Sequence, residues 1–115
     1  MNYWIQNLAP HGSPDEIGVI QLAWLGDSVW ELHQRLRHIH IPLKSRDLHL
    51  SVVNEVKAQA QSKSLDEIEH LLNSFEINLI RRARNKTKRF PKSSDPAIYS
   101  RATGFEALVG WLFLK

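Results

Sequence analysis

At 115 residues the chain has room for one ordinary domain, 1–115, and no second. Its 43% hydrophobic and 23% charged residues, with five Gly and five Pro, are globular proportions and exclude a disordered chain, while the lack of cysteine excludes disulfides, thiolate metal sites and cysteine nucleophiles together. The net charge of +3 is unevenly spread: seven of the fifteen basic residues (Arg81, Arg82, Arg84, Lys86, Lys88, Arg89 and Lys92) form one acid-free segment, and the rest of the chain is acidic on balance. Local positive charge of this kind points to a polyanionic partner.

The N-terminal MNYWIQNLAPHG has no basic region followed by an apolar run, so neither a secretory signal nor a transit peptide is expected. Ser13, Pro14 and Glu16 supply an N-cap, a first-turn proline and a capping-box partner, predicting a helix start near residue 14. Leu22, Leu25, Val29, Leu32, Leu36 and Ile39 then recur at spacings of three and four, the mark of one long helix ending before Pro42. A second helix is predicted from about Asp47 to Lys63, with Leu48, Val52, Val56 and Ala60 in line. Ser64 and Glu67 form another capping-box pattern ahead of Leu65, Ile68, Leu71 and Leu72. Ser74 opens a helix through Ile77, Ile80 and Ala83 that runs into the basic segment, and Lys86 to Ser94 reads as an exposed loop. Asp95 and Pro96 launch a final helix to the end of the chain. With no β-alternation and no repeat, the class is all-α. The longest apolar or glycine run, Ala107 to Leu114, falls far short of the ~20 residues that span a bilayer. A soluble cytoplasmic protein with no membrane partner is the simplest expectation.

Two acids stand in apolar surroundings: Asp27 in LAWLGDSVW and Glu106 in TGFEALVGWLFL. A carboxylate among Leu, Trp, Val and Phe is costly to desolvate unless it is protonated, paired with a cation or bound to a metal. Asp27 falls opposite the leucine stripe of its helix, on a face with Ile20, Trp24, Glu31 and His38. The apolar Ile20 and Trp24 imply that this half of the helix is covered on both sides, and Gly26 implies a close neighbour beside the acid. In the last helix, Thr103, Glu106 and Gly110 form a narrow small-or-polar strip. Helical geometry alone leaves two readings of the acids open: structural partners of Arg, Lys or backbone, or ligands of a divalent cation. His38 and His40 are poorly spaced for metal, and no HExxH, GxxxxGK[ST], GxGxxG or GxSxG is present, so no nucleotide cofactor is expected. Trp24, Trp30 and Trp111 either line an interface or fill the core.

Together LAWLGDSVWEL and FEALVGWLFL resemble the two signature helices of the ribonuclease III catalytic domain, in which a GD and an FEALxG supply metal-binding acids. The chain is more closely similar to the Mini-ribonuclease III family, which lacks a double-stranded-RNA-binding domain. The likeness rests on DLH at Asp47 to His49, RARNK at Arg82 to Lys86, FPK at Phe90 to Lys92 and DPAIYSRATGFEALVGWLFL, and covers about residues 14 to 115. Ribonuclease III proper places four acids at its site, and Ala23 and Thr103 stand at two of those positions, a pair of substitutions usual in the Mini form. The family commonly continues with more helix than this chain, which stops at Lys115, so a final C-terminal helix is either missing or dispensable.

The resemblance implies a ribonuclease III-like helical bundle and a Mg²⁺-dependent endoribonuclease, with Mn²⁺ as a substitute metal. It implies cleavage of double-stranded RNA by a homodimer, with precursor ribosomal RNA of the large subunit as substrate, in the cytoplasm or, in a plant, the plastid stroma. Asp27 and Glu106 carry over as catalytic metal ligands, with Glu31 and Thr103 in supporting positions. Arg82, Arg84, Lys86, Lys88, Arg89 and Lys92 are the expected RNA contacts. Two other readings remain at this point: a non-catalytic RNA-binding or ribosome-assembly module of the same fold, and an interaction domain whose acids form structural salt bridges.

Overall fold

In a computed structural model of the chain, which describes residues 3–40, 42, 53–92 and 94–115, one helix organises the others. Asp95 accepts hydrogen bonds from the backbone N–H groups of Ala97 (2.8 Å) and Ile98 (3.5 Å), and Pro96 occupies the first helical position, so a helix begins where the sequence predicts. This helix, α5 (Pro96–Leu114), is preceded by α1 (Tyr3–Leu8), α2 (Val19–His38), α3 (Val53–Ile68) and α4 (Ser74–Lys86). Short 3₁₀ turns occupy Pro14–Glu16 and Glu69–Leu71. Every regular element among the described residues is helical, in agreement with the all-α expectation, and no helix among them is long and apolar enough to cross a membrane.

Helix α5 lies against α2, α3 and α4 and buries Ala102, Phe105, Ala107, Leu108 and Trp111 among them. Facing it are Val19, Leu22 and Ala23 of α2, Leu65 of α3, and Leu79, Ile80 and Ala83 of α4. Burying a side chain as fully as Leu22, Leu65 or Leu108 contributes about 1.5–3 kcal/mol each. Two polar ties fix the surround. The Trp111 indole N–H donates to Asp15 at 2.7 Å, and Arg101 of α5 donates to Ser62 (3.3 Å) and Glu69 (3.1 Å) while pairing with Asp66.

Helices α2 and α5 cross through glycine. A Cβ on Gly26 would overlap the carbonyl of Glu106 and lie 3.0 Å from the Gly110 nitrogen; one on Gly110 would overlap the carbonyl of Leu22 and lie 3.1 Å from the Gly26 nitrogen. The close neighbour that Gly26 implies is therefore the backbone of α5 itself.

Several local expectations change. Ser13 caps only the 3₁₀ turn, accepting from Asp15 N–H at 3.2 Å; extended backbone at Ile17 and Gly18 follows, and α2 starts at Val19. Ser64 opens no helix: α3 runs through it to Ile68, because the fully buried Leu65 keeps the chain docked on α5. The first part of the helix predicted from Asp47 lies outside the described residues, and the inward row of α3 holds Gln61 and Leu65, with Ala60 exposed. Asn73, not Ser74, caps α4, exchanging 2.9 Å hydrogen bonds with Glu76. Helix α1 carries too little periodicity to be foreseen.

Candidate active site

Asp27 and Glu106 come together because the glycine crossing is one residue from the first and its overlap partner is the second. Both line a cavity of about 640 Å³ with Lys57 and Gln61 of α3, Thr103 of α5 and Pro91 of the loop before it. Glu106 is largely covered, with 16% of its side chain exposed, whereas Asp27 is 45% exposed and opens onto the cavity.

Sequence reasoning missed Lys57. Its ammonium donates a hydrogen bond to Asp27 Oδ1 and lies 3.3 Å from Glu31 Oε1 and 3.9 Å from Glu106 Oε2, with only 14% of the side chain exposed. Gln61, one turn further along α3, donates to Glu106 Oε2 at 3.4 Å. Lys57, Gln61 and Leu65 recur every four residues, and that row ending in a buried leucine is the signal by which the two polar residues are recognisable as inward-facing.

The two carboxyls are pushed apart in acidity. Burial raises Glu106, and hydrogen bonding with Asp27 and the Asp27 charge add to it, so that it moves from 4.5 up to about 8 despite the opposing Lys57 and Gln61. Burial also opposes ionisation of Asp27, but the hydrogen bonds from Lys57 and Glu106 and the Lys57 charge outweigh it and hold Asp27 below its ordinary value. Burial disfavours the Lys57 ammonium, yet Asp27, Glu106 and Glu31 together raise it above the usual lysine value. Glu106 thus holds its proton more tightly than an ordinary glutamate, while Asp27 favours the ionised form beside the Lys57 ammonium.

Of the supporting positions, Glu31 reaches the site through Lys57 and also pairs with Arg35 at 3.5 Å. Thr103 lines the cavity, but its hydroxyl donates to the Tyr99 carbonyl of its own helix at 3.1 Å. Ala23 is buried in the core one turn before Asp27. The face of Asp27 is not covered as expected: Ile20 is 45% and Trp24 80% exposed. Trp30 and Trp111 do fill the core region, Trp30 edge-on to Phe105 at 5.2 Å between ring centroids.

Arg81, Arg82 and Lys86 of α4 and Lys88, Arg89 and Lys92 of the following loop are exposed, and none forms an ion pair among the described residues. Arg84 is half-buried, its stem packed beside Gly104. The loop is tied to α5 by Phe90 edge-on to Tyr99 at 5.7 Å, and its Pro91 and Ser94 line the same cavity as the acids. The cation-rich segment therefore borders the site. The DLH motif at Asp47 to His49 lies outside the described residues.

The donors fit a hard divalent cation. They are carboxylate oxygens converging where an ammonium already sits, and an oxygen-rich pocket of this kind suits Mg²⁺. Among the described residues no group of three or more His, Asp or Glu is arranged to hold a metal by itself. A cation held by Asp27 and Glu106 would take its remaining ligands from water or substrate.

Residues 20–115 match the family described as Ribonuclease III domain. The chain is similar to the Mini-ribonuclease 3 of Gloeobacter violaceus, 45% identical over 81% of this chain and 69% of that one. It is also similar to that of Synechocystis, 32% identical over 97% and 80%, and that of Symbiobacterium thermophilum, 39% identical over 89% and 80%. Among solved structures, a Fusobacterium nucleatum protein superposes with a TM-score of 0.74 at 31% identity, covering 86% of this chain and 82% of that one.

Proposed function

Because the chain belongs to the Mini-ribonuclease 3 family of ribonuclease III domains and is thereby an endoribonuclease, we propose that Asp27 and Glu106 are its catalytic metal ligands and that it cuts double-stranded RNA with Mg²⁺, or Mn²⁺ in its place. One observation carries this reading: two acids far apart in sequence meet in a cavity beside a loop whose cations have no ion-pair partner among the described residues. A metal bound by them supplies an activated water near neutral pH and relief of charge on the leaving oxygen. The chain's own residues do the rest. Gln61 orients the Glu106 carboxyl by its hydrogen bond. Glu31 anchors the polar cluster one turn from Asp27.

Duplex RNA is read by shape, through phosphates and 2′-hydroxyls across the minor groove. Arg82, Arg84, Lys86, Lys88, Arg89 and Lys92 supply the cations for those phosphates, on α4 and the loop that borders the cavity. Maturation of precursor ribosomal RNA of the large subunit is the proposed cellular role, on the strength of the family resemblance.

The protein acts as a homodimer on this reading. Trp24 stands 80% exposed beside a second, apolar cavity of about 590 Å³ lined by Ile5, Leu8, Leu25, Phe113 and Leu114. An exposed indole at the edge of an apolar hollow offers apolar surface of the kind that a closed two-fold interface buries.

The test is incubation of the protein with a structured RNA in Mg²⁺ and in EDTA, alongside Asp27→Asn and Glu106→Gln. Cutting by the wild type in Mg²⁺ alone, lost by about three orders of magnitude in both folded variants, is the expected result. Metal-independent cutting, or variants as active as the wild type, would overturn the assignment.

A further inference from the structure

The ammonium of Lys57 lies among carboxyls from two other helices, Asp27 and Glu31 of α2 and Glu106 of α5, and Lys57, Asp27 and Glu106 line the same cavity. Ionised carboxyls converging on one site repel one another unless a positive charge lies between them. Lys57 supplies that charge from a largely covered position.

We infer that Lys57 is a resident counter-ion of the metal site: it keeps Asp27 and Glu106 in register while no metal is bound, and a divalent cation must displace its ammonium to reach them. This rests on the proposed metal role of the two acids. Two cations cannot occupy one small carboxylate cluster without strong mutual repulsion, so the lysine and the metal compete. Lysine suits the part, since its charge is compact and sits on a flexible four-carbon stem that can swing its head away. Lys57 is on this view a positioning residue that sets metal affinity.

The inference has a sign that a merely structural lysine would not give. Removing a structural residue disorganises the site and weakens metal binding, whereas removing a competitor strengthens it. Binding of Mn²⁺ alone, without RNA, is measured by paramagnetic resonance of the free ion on the full chain, with circular dichroism confirming the fold. Lys57→Met, which keeps the stem and removes the charge, is expected to bind Mn²⁺ about tenfold more tightly than the wild type. Its melting temperature should also rise more on adding Mn²⁺. Lys57→Arg keeps the charge and should gain no affinity.

A Lys57→Met protein that folds only when Mn²⁺ is present would support the inference equally, since the metal then does the lysine's work. Should it not fold in either condition, Lys57→Gln is read against the same criterion. A folded charge-removing variant that binds Mn²⁺ no more tightly than the wild type would overturn the inference. Asp27→Asn and Glu106→Gln separate the two failures: if they bind Mn²⁺ as the wild type does, the metal site itself is wrong, and if they lose it while the lysine variant gains nothing, only the role of Lys57 falls.

Discussion

Gly26 and Gly110 lie backbone against backbone where α2 crosses α5, and this contact sets the separation of the two acids. Asp27 follows Gly26 directly, and it is the Glu106 carbonyl that any side chain at Gly26 would strike. A methyl there must push the helices apart, because both colliding groups are helical backbone and neither can rotate away. Gly26→Ala is expected to cost about 1–3 kcal/mol through overpacking, in spite of alanine's better helix propensity. Equilibrium denaturation should show a lower midpoint with an unchanged slope, and cleavage should fall with the widened site. A Gly26→Ala protein as stable as the wild type would mean that the crossing is looser than described.

The acidity of Glu106 makes the metal-free protein sensitive to pH in the neutral range. Its carboxyl, at 4.5 when unfolded, is raised to about 8 in the fold, so the folded state holds the proton more tightly. That contribution to stability is complete below 4.5 and is lost as pH rises towards 8. Asp27 acts in the opposite sense, since its lowered value gives stability that is present above 3.8 and lost as pH falls. Lys57, raised, contributes stability below 10.5 that is lost only in alkali. In a chelator the melting temperature should therefore be highest near about pH 5 and decline towards pH 8. Glu106→Gln, which has no proton to lose, should flatten the decline. Thermal melts of the two proteins across this range check it, and equal slopes would remove Glu106 as the cause.

Much of this candidate site is legible in the sequence. Capping residues and threefold or fourfold apolar spacing marked α2 and α5, and apolar neighbours marked Asp27 and Glu106 as needing a reason. Lys57 was not legible, because its role depends on how α3 is rotated about its axis. The row through Val52, Val56 and Ala60 looked inward, whereas Ala60 is exposed and the row through Gln61 and Leu65 faces α5. A polar residue at an inward position lowers the apolar signal of the correct face, so pattern reading favours the wrong one. Leu32, Leu36 and Ile39 carry a complementary lesson. Periodicity reported their shared face correctly, but whether a face is covered depends on its neighbours, and these three are half to two-thirds exposed.

Trp24 offers a test of the proposed dimer. An indole left 80% in water beside an apolar hollow is unfavourable in a lone chain. Trp24→Asp should leave the helical content unchanged and shift the protein to monomer in sedimentation, since a charge at the centre of an apolar contact carries a large desolvation cost. An unchanged dimer would place the interface elsewhere, and a wild type that sediments as a monomer would remove the dimer reading.

The exposed cations give the last expectation. Lys86, Lys88 and Arg89 lie without carboxylate partners among the described residues, on the segment that runs from the end of α4 to the cavity. Each phosphate that such a side chain neutralises releases a counterion and adds close to one unit to the slope of log affinity against log salt. Replacing the three together with Ala should weaken binding to duplex RNA of any sequence and reduce that slope by about two to three units. Because none of the three forms an ion pair with Asp27 or Glu106 or lines their cavity, saturating RNA at low salt should restore most of the cleavage rate. A slope identical to that of the wild type would take this loop out of the RNA interface, whereas a lost rate at saturation would move one of its cations into the chemistry.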